Sequence, residues 1–296
     1  MPKSGTDGRH GFESRQPNIK SCAVNLMNTV IKMERNNFFD LHIYTNNTEG
    51  GNDKVSFLCE TAAAKNLRAV AFTDICDIAA FSASDSHRRL RHSFFDTAKA
   101  KKLFCDSLMV LSGIEFANVL FDPQQAAKVL LRQEYDIVLT SITRTKTVPD
   151  MSALVSADKA ALMSFTEEYC AEIKSVIENT DFDVLSRIML PFRGIQVDPD
   201  FTADAFEDIL KALAKKKCAL EIDTKDLVGS EKVRDFYFKL IKMFRSVGGR
   251  YVTVGSESYY NEEVGNAIDI GMATAARAGF SDITLFERRI PYTIPI

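Results

Sequence analysis

The chain has 296 residues, with 37 Lys and Arg against 40 Asp and Glu, a net charge of −3, and 46% hydrophobic residues. This balance suits a globular protein with a sizeable core, and it argues against a protein held to nucleic acid mainly by phosphate neutralisation. No apolar run approaches the ~18 residues that a bilayer-crossing helix needs. Six scattered cysteines (Cys22, Cys59, Cys76, Cys105, Cys170 and Cys218), with no Cys-x-x-Cys pair, read as the reduced thiols of a cytoplasmic protein.

Residues 1–20 have no periodicity and are rich in Gly, Pro, Ser and charge, a composition that cannot offset the entropy of ordering. The string Gly11-Phe12-Glu13-Ser14 is also what a transfer-RNA T-arm encodes in one frame. Residues 1–35 are therefore expected to be a disordered leader, with translation starting at Met27 or Met33, and residues 36–296 to form one domain. Without residues 1–32 the chain carries 32 basic against 38 acidic residues, so the expected body is more acidic than the whole. Intact-mass analysis of the native protein checks the start, the expected result being a mass that excludes residue 1.

From there the pattern alternates. Short runs rich in β-branched and aromatic residues predict strands at Phe38–Tyr44, Ala69–Asp74, Leu108–Glu115, Asp136–Ser141, Phe182–Arg187, Ala219–Asp223 and Tyr251–Gly255. Apolar spacing near 3.6 predicts helices over Val55–Lys65, Ala157–Asn179, Ala203–Lys217, Lys232–Val247 and Glu262–Ala278, the last closed by Gly279. Seven strands alternating with helices predict an α/β protein with a parallel sheet or barrel, whose site lies at the C-terminal ends of the strands.

Those strand ends carry a resemblance. Asp40-Leu41-His42-Ile43-Tyr44-Thr45, with Thr48-Glu49-Gly50 after it, resembles the Asp-x-His-x-His-Thr…Ser-Asp-Gly opening of the PHP (polymerase and histidinol phosphatase) superfamily. Thr73-Asp74-Ile75 resembles its Thr-Asp-His, Gly113-Ile114-Glu115 its Gly-x-Glu, and Ser141-Ile142-Thr143 its Ser-x-His. Asp183 to Arg187 with Leu190-Pro191 is similar to Asp-x-x-Gly-His…Leu-Pro of the histidinol-phosphatase branch. Leu220-Glu221-Ile222-Asp223-Thr224 and Gly255-Ser256-Glu257-Ser258-Tyr259 resemble two further segments of that branch. The resemblance implies a distorted seven-stranded parallel (β/α)7 barrel of PHP type, in which active members hold three metal ions and hydrolyse phosphate esters.

Of the eight ligand positions that the resemblance implies, His42 and Glu115 are unchanged and Glu257 replaces an Asp. The other five are Tyr44, Ile75, Thr143, Arg187 and Tyr259. Isoleucine cannot ligate, threonine and neutral tyrosine are poor ligands, and arginine stays protonated and repels a cation. The expectation is a metal site that is degenerate, with no metal at full occupancy, and Zn, Mn or Fe if the protein is active. Buried acids left without metal need another cation. Arg187 is therefore expected to bridge Glu115 and Glu257, with Asp74 facing them, and Tyr44 and Tyr259 filling hydrogen-bond gaps. Asp40, Asp74 and Arg187 are the expected pocket residues for a small anionic or phosphorylated ligand.

Blander readings stand beside these. His42 is either a residual ligand or a buried histidine bonded to a neighbouring strand. Cys76 has no histidine nearby in sequence and reads as an ordinary thiol. His87-Arg88-Arg89-Leu90-Arg91-His92 reads as a solvated helix face or as an anion-steering patch. Lys215–Lys217 suit a helix C-terminus, and Arg288-Arg289 stands where the branch often has an arginine. Three functions follow: a degenerate PHP barrel that binds a small anion or a partner, an active phosphatase with a reduced metal site, or a scaffold acting through surface loops.

Overall fold

The computed structural model describes residues 38–195 and 198–296, so the expected leader, residues 1–35, lies outside the described residues. The strands in chain order are β1 (Phe39–Ile43), β2 (Ala69–Phe72), β3 (Ile75–Asp77), β4 (Met109–Ala117), β5 (Ile137–Ser141), β6 (Val184–Leu185), β7 (Ala219–Asp223), β8 (Val252–Gly255), β9 (Asp282–Glu287) and β10 (Ile290–Pro295). The helices are α1 (Val55–Ala64), α2 (Ser86–Leu103), α3 (Pro123–Leu130), α4 (Lys159–Asn179), α5 (Glu207–Lys216), α6 (Glu231–Ser246) and α7 (Ile268–Arg277), with short helical stretches of three to eight residues between them.

The main sheet runs in the order β1-β2-β4-β5-β6-β7-β8, every pair parallel. Strand β3 pairs with the far half of β4, Ile75 opposite Glu115, while β2 pairs with its near half, Ala69 opposite Met109. Together β2 and β3 form one stave, interrupted at Thr73-Asp74. The barrel closes where Ile43 bridges Ser258 and the Tyr44 amide donates to the Ser258 carbonyl at 3.0 Å. The result is a nearly closed barrel of seven parallel staves, as the alternating pattern predicts.

Because helices cover such a barrel, its strands are buried on both faces and read as continuous apolar runs; β1, β2, β5, β7 and β8 are buried at every residue. Helix α6 shows the outer layer: Val233, Phe236, Tyr237, Leu240, Ile241 and Phe244 recur at helical spacing and are all buried. Phe236 meets Phe192 and Phe206 edge-on, with ring centroids 5.3 and 5.8 Å away. Side-chain caps start α3, α4 and α6, where Asp122, Asp158 and Ser230 accept from the amides of Gln125, Ala161 and Val233.

Four features depart from the sequence expectation. The last helix starts at Ile268, not Glu262, because Gly265 and Ala267 have φ of +74° and +54°, which an α-helix cannot contain. Helix α5 starts at Glu207, after a 3₁₀ stretch over Pro199–Phe206. Helix α3 had too short an apolar stripe to be read. The antiparallel hairpin β9–β10 follows α7; its turn puts Arg288 and Arg289 at φ of +52° and +65°, positions usually given to Asn-Gly. Arg289 holds that turn by donating to Asp181 at 2.7 and 2.9 Å and to Asp183 at 3.0–3.2 Å, so the Arg288-Arg289 pair serves the fold.

Two glycines set how closely the staves approach. A Cβ on Gly113 would lie 2.6 Å from Thr73 Cγ2, and one on Gly255 would lie 2.4 Å from His42 Cβ. Gly255→Ala is expected to push β8 away from β1 and to cost about 1–3 kcal/mol. Urea unfolding of the variant beside the wild type measures it.

Candidate functional site

The C-terminal ends of the staves converge on a buried network of charge. Strand β1 supplies His42 and, just after it, Tyr44; β4 supplies Glu115; the end of β6 supplies Arg187; β7 supplies Glu221 and Asp223; and the end of β8 supplies Glu257. His42 is fully buried and donates from Nδ1 to Glu221 Oε1 at 2.5 Å, while its Nε2 lies 2.8 Å from the Tyr44 hydroxyl and 3.2 Å from Glu115 Oε2. The Tyr44 hydroxyl donates to Glu115 Oε2 at 2.5 Å. Arg187 lies between two acids: Nη2 is 3.0 Å from Glu257 Oε1 and Nη1 is 3.6 Å from Glu115 Oε1. Its backbone amide donates to Glu221 Oε2 at 3.0 Å, so one carboxylate holds both His42 and Arg187.

A second guanidinium extends the network. Arg193 reaches Glu257 Oε2 at 2.6 Å, Asp223 Oδ2 at 2.7 Å and Asp226 Oδ1 at 2.5 Å. Lys225 stands at the rim, its ammonium 5.2 Å above the Tyr259 ring and 3.4 Å from the Glu257 carbonyl oxygen. Tyr259 packs on Tyr44 with centroids 4.5 Å apart.

The charges settle one another. Burial opposes ionisation of Glu115, but Arg187 and then His42 outweigh it and bring its pKa down to about 2. Glu257 is likewise driven low, by Arg187 and Arg193 against burial. Burial opposes the positive charge on His42, yet Glu221 and Glu115 hold its pKa well above the ordinary value. Asp223 and Asp226 go the other way: burial raises both, with Asp226 and Glu257 adding to it at Asp223 and Glu257 and Glu221 adding to it at Asp226, so the pair retains a proton more readily than a free carboxyl does. Arg187 and Glu257 both have positive φ, +53° and +51°, which costs a non-glycine residue about 1–2 kcal/mol; the ion pair between them opposes that cost.

The network thus gathers His42, Tyr44, Glu115, Arg187, Glu257 and Tyr259 from the expected set. Asp40 and Asp74 are corrected. Asp40 accepts from the Ser256 amide (2.9 Å), the Ser256 hydroxyl (2.6 Å) and the Gly265 amide (2.7 Å), stapling β1 to the loop after β8. Asp74 accepts from the Thr45 amide and the hydroxyls of Thr45 and Thr48, each at 2.7 Å, and does not face the glutamates as expected. These bonds occupy both carboxylates, so neither is a free pocket group. Thr143 is bonded to Asn118, and Ile75 is a β3 residue opposite Glu115. Cys76 is buried, its thiol pushed up to about 12 by burial, and is no nucleophile.

Sequence reasoning missed Glu221, Asp223, Asp226 and Arg193. The signal for the first two was present: acids at alternate positions of a wholly buried strand share one face. Arg193 had none, since it follows a helical turn after Pro191 and reaches the acids only through the fold.

The side chains as placed do not fit a metal cluster. Both His42 nitrogens are engaged, guanidinium groups stand between the carboxylates, and among the described residues no group of three His, Cys, Asp or Glu side chains is disposed to hold an ion.

Comparison with known proteins defines the class. The PHP domain matches residues 40–225, and the chain belongs to the PHP domain family. A "Probable histidinol-phosphatase" of Thermotoga maritima is 28% identical over 123 residues, 42% of this chain and 52% of that protein, so the chain spans about half the length of that relative. The histidinol-phosphatase of Lactococcus lactis is 22% identical over 233 residues, 76% of this chain and 86% of that protein. In fold, the chain is similar to the crystal structure of a histidinol phosphate phosphatase from Lactococcus lactis complexed with zinc, L-histidinol and phosphate. That likeness has a TM-score of 0.77 at 19% identity and covers 86% of this chain and 98% of the other.

Replacing Arg187 by Met removes the cation between two buried glutamates and is expected to cost about 3–5 kcal/mol at pH 7. Glu115, with a folded pKa of about 2 against an ordinary 4.5, contributes stability above pH 4.5 that is lost as pH falls towards 2. Without Arg187 that contribution shrinks, so the gap between wild type and Arg187→Met is widest at neutral pH and narrows below about 4.5. Urea midpoints at pH 7 and pH 4 test both the size and the sign.

Proposed function

We propose that this chain is a PHP barrel in which a guanidinium–carboxylate network stands where the family's active members hold metal, and that it is catalytically degenerate as a phosphoesterase. The observation carrying this reading is Arg187, 8% exposed and seated between Glu115 and Glu257. A guanidinium has no lone pair to offer and does not deprotonate in a protein. It neutralises the acids that a metal would otherwise neutralise, so a cation entering the site must expel two arginines that carboxylates already hold.

The ligand in this reading is a small anionic or phosphorylated molecule at the rim of the barrel mouth, in a cytoplasmic protein. Lys225 is exposed there and the Arg193 side chain is 25% exposed. The phosphate and L-histidinol in the Lactococcus structure make a phosphorylated amino alcohol the first compound to try. The second reading is an active phosphoric monoester hydrolase with a reduced metal set on His42, Glu115 and Glu257. Its support is the 3.2 Å approach of His42 Nε2 to Glu115 and the fact that one residue, Arg187, separates both from Glu257.

Elemental mass spectrometry on protein grown with Mn, Zn and Fe separates the two. Metal well below one equivalent, with no phosphate released from histidinol phosphate or other monoesters, is the expected result. Near-stoichiometric metal that is lost in His42→Ala, accompanied by phosphate release, overturns the proposal in favour of the hydrolase.

A further inference from the structure

Helix α2 packs on the outside of β4, and its charge differs from that of the rest of the chain. Ser86–Leu103 holds six Lys and Arg against one Asp, a net of +5 in a chain of net −3, so all other residues together carry −8. The buried face of the helix is Ser86, Leu90, Ser93, Thr97 and Ala100. The opposite face is centred on Phe95, which is 54% exposed. Arg91 and Lys99 stand four residues to either side of Phe95, and Arg88 and Lys102 seven, so all four share its stripe and all four are exposed. His92, three residues before Phe95, and His87 and Leu103, eight to either side, border the stripe. No acid stands at any position of this face.

The fold does not use these charges. Asp85 holds Arg88 at 2.6 Å and Asp96 holds Lys99 at 3.1 Å, but both pairs are solvated, gain little, and exchange readily for another anion. Arg91 and Lys102 make no ion pair among the described residues. Along the helix axis the four cations span about 21 Å. A helix face is convex, so a partner that meets all four at once is broad and does not enclose them. The apolar residues decide its chemistry. Phe95 and Leu103, 54% and 73% exposed, project among the cations. An aliphatic side chain gains nothing from a phosphate or from stacking on a base, whereas both residues gain from the acyl boundary of a bilayer.

We propose that the outer face of α2 docks on an anionic phospholipid surface, with its cations among the headgroups and Phe95 at the acyl boundary. The contact is peripheral, since among the described residues no helix is long and apolar enough to cross a membrane. It involves none of the network residues at the barrel mouth. The same surface repels the −8 carried by the rest of the chain, so the field turns α2 towards the lipid.

Flotation of the full chain with vesicles tests this, using phosphatidylcholine alone and phosphatidylcholine with phosphatidylserine in equal parts. Binding to the mixed vesicles alone is expected, and added salt is expected to weaken it. Each cation near such a surface strengthens binding about fivefold. Arg88→Gln, Arg91→Gln, Lys99→Gln and Lys102→Gln combined are therefore expected to weaken it roughly 100-fold or more, with the unfolding midpoint unchanged because all four side chains are exposed. Phe95→Ser, which leaves the charge alone, is expected to weaken it several-fold. Equal binding to both vesicles, binding to neither, or binding that the fourfold substitution leaves untouched overturns the proposal. Polyuridylate bound more tightly than the mixed vesicles, and lost in the fourfold variant, assigns the face to nucleic acid and overturns it too. Vesicle binding lowered by Lys225→Ala alone places the lipid at the barrel mouth and overturns it equally.

Discussion

Carboxylates buried at the ends of parallel strands must meet positive charge, and much else in this barrel depends on how that need is met. Glu115, Glu221, Glu257, Asp223 and Asp226 crowd one end of the barrel, and all are almost fully buried. An ionised carboxylate in such a place is several kcal/mol unfavourable unless it is paired or protonated. Arg187, Arg193 and a protonated His42 supply three cations, and the raised pKa values of Asp223 and Asp226 remove part of the remaining negative charge. The compensation is internal, made by side chains on the strand ends and on the loops and turns that follow them.

That requirement reaches back into the backbone. Arg187 and Glu257 adopt left-handed conformations just past the ends of β6 and β8, on either side of β7, and the ion pair between them opposes the cost of those conformations. Gly255 lets β8 approach His42 closely enough for Nδ1 to reach Glu221. Asp40 and Asp74, though acidic and buried, sit outside this exchange because threonine and serine hydroxyls and backbone amides satisfy them. Amide donors suffice for a carboxylate in a loop cradle; strand ends that face one another offer few free amides, and guanidinium groups fill the role.

The strands were legible because their signal is local. Apolar runs such as Ala69–Asp74 and Tyr251–Gly255 locate staves almost to the residue, since both faces of each are buried. The hairpin β9–β10 escaped notice because it is a partly exposed, antiparallel addition whose turn is Arg-Arg in place of glycine or asparagine. Helix α2 was legible only as a charged segment, since Ser93, Thr97 and Ala100 join Leu90 on its buried face and small residues leave little apolar periodicity. At the site, the residues at motif positions could be named in advance. Arg193 could not, because what matters about it is where its guanidinium lands, some thirty residues along the chain from Asp223 and Asp226.

The same electrostatic accounting bears on the barrel mouth. At the barrel mouth each buried arginine faces carboxylates, so the interior exerts little net pull on an anion, and any attraction falls to exposed Lys225 and the outer edge of Arg193. Positive charge in this protein is therefore consumed where it is most buried and available where it is least buried. A small anion in solution responds to the second population, since a guanidinium whose charge two carboxylates already balance gains little by turning towards a third.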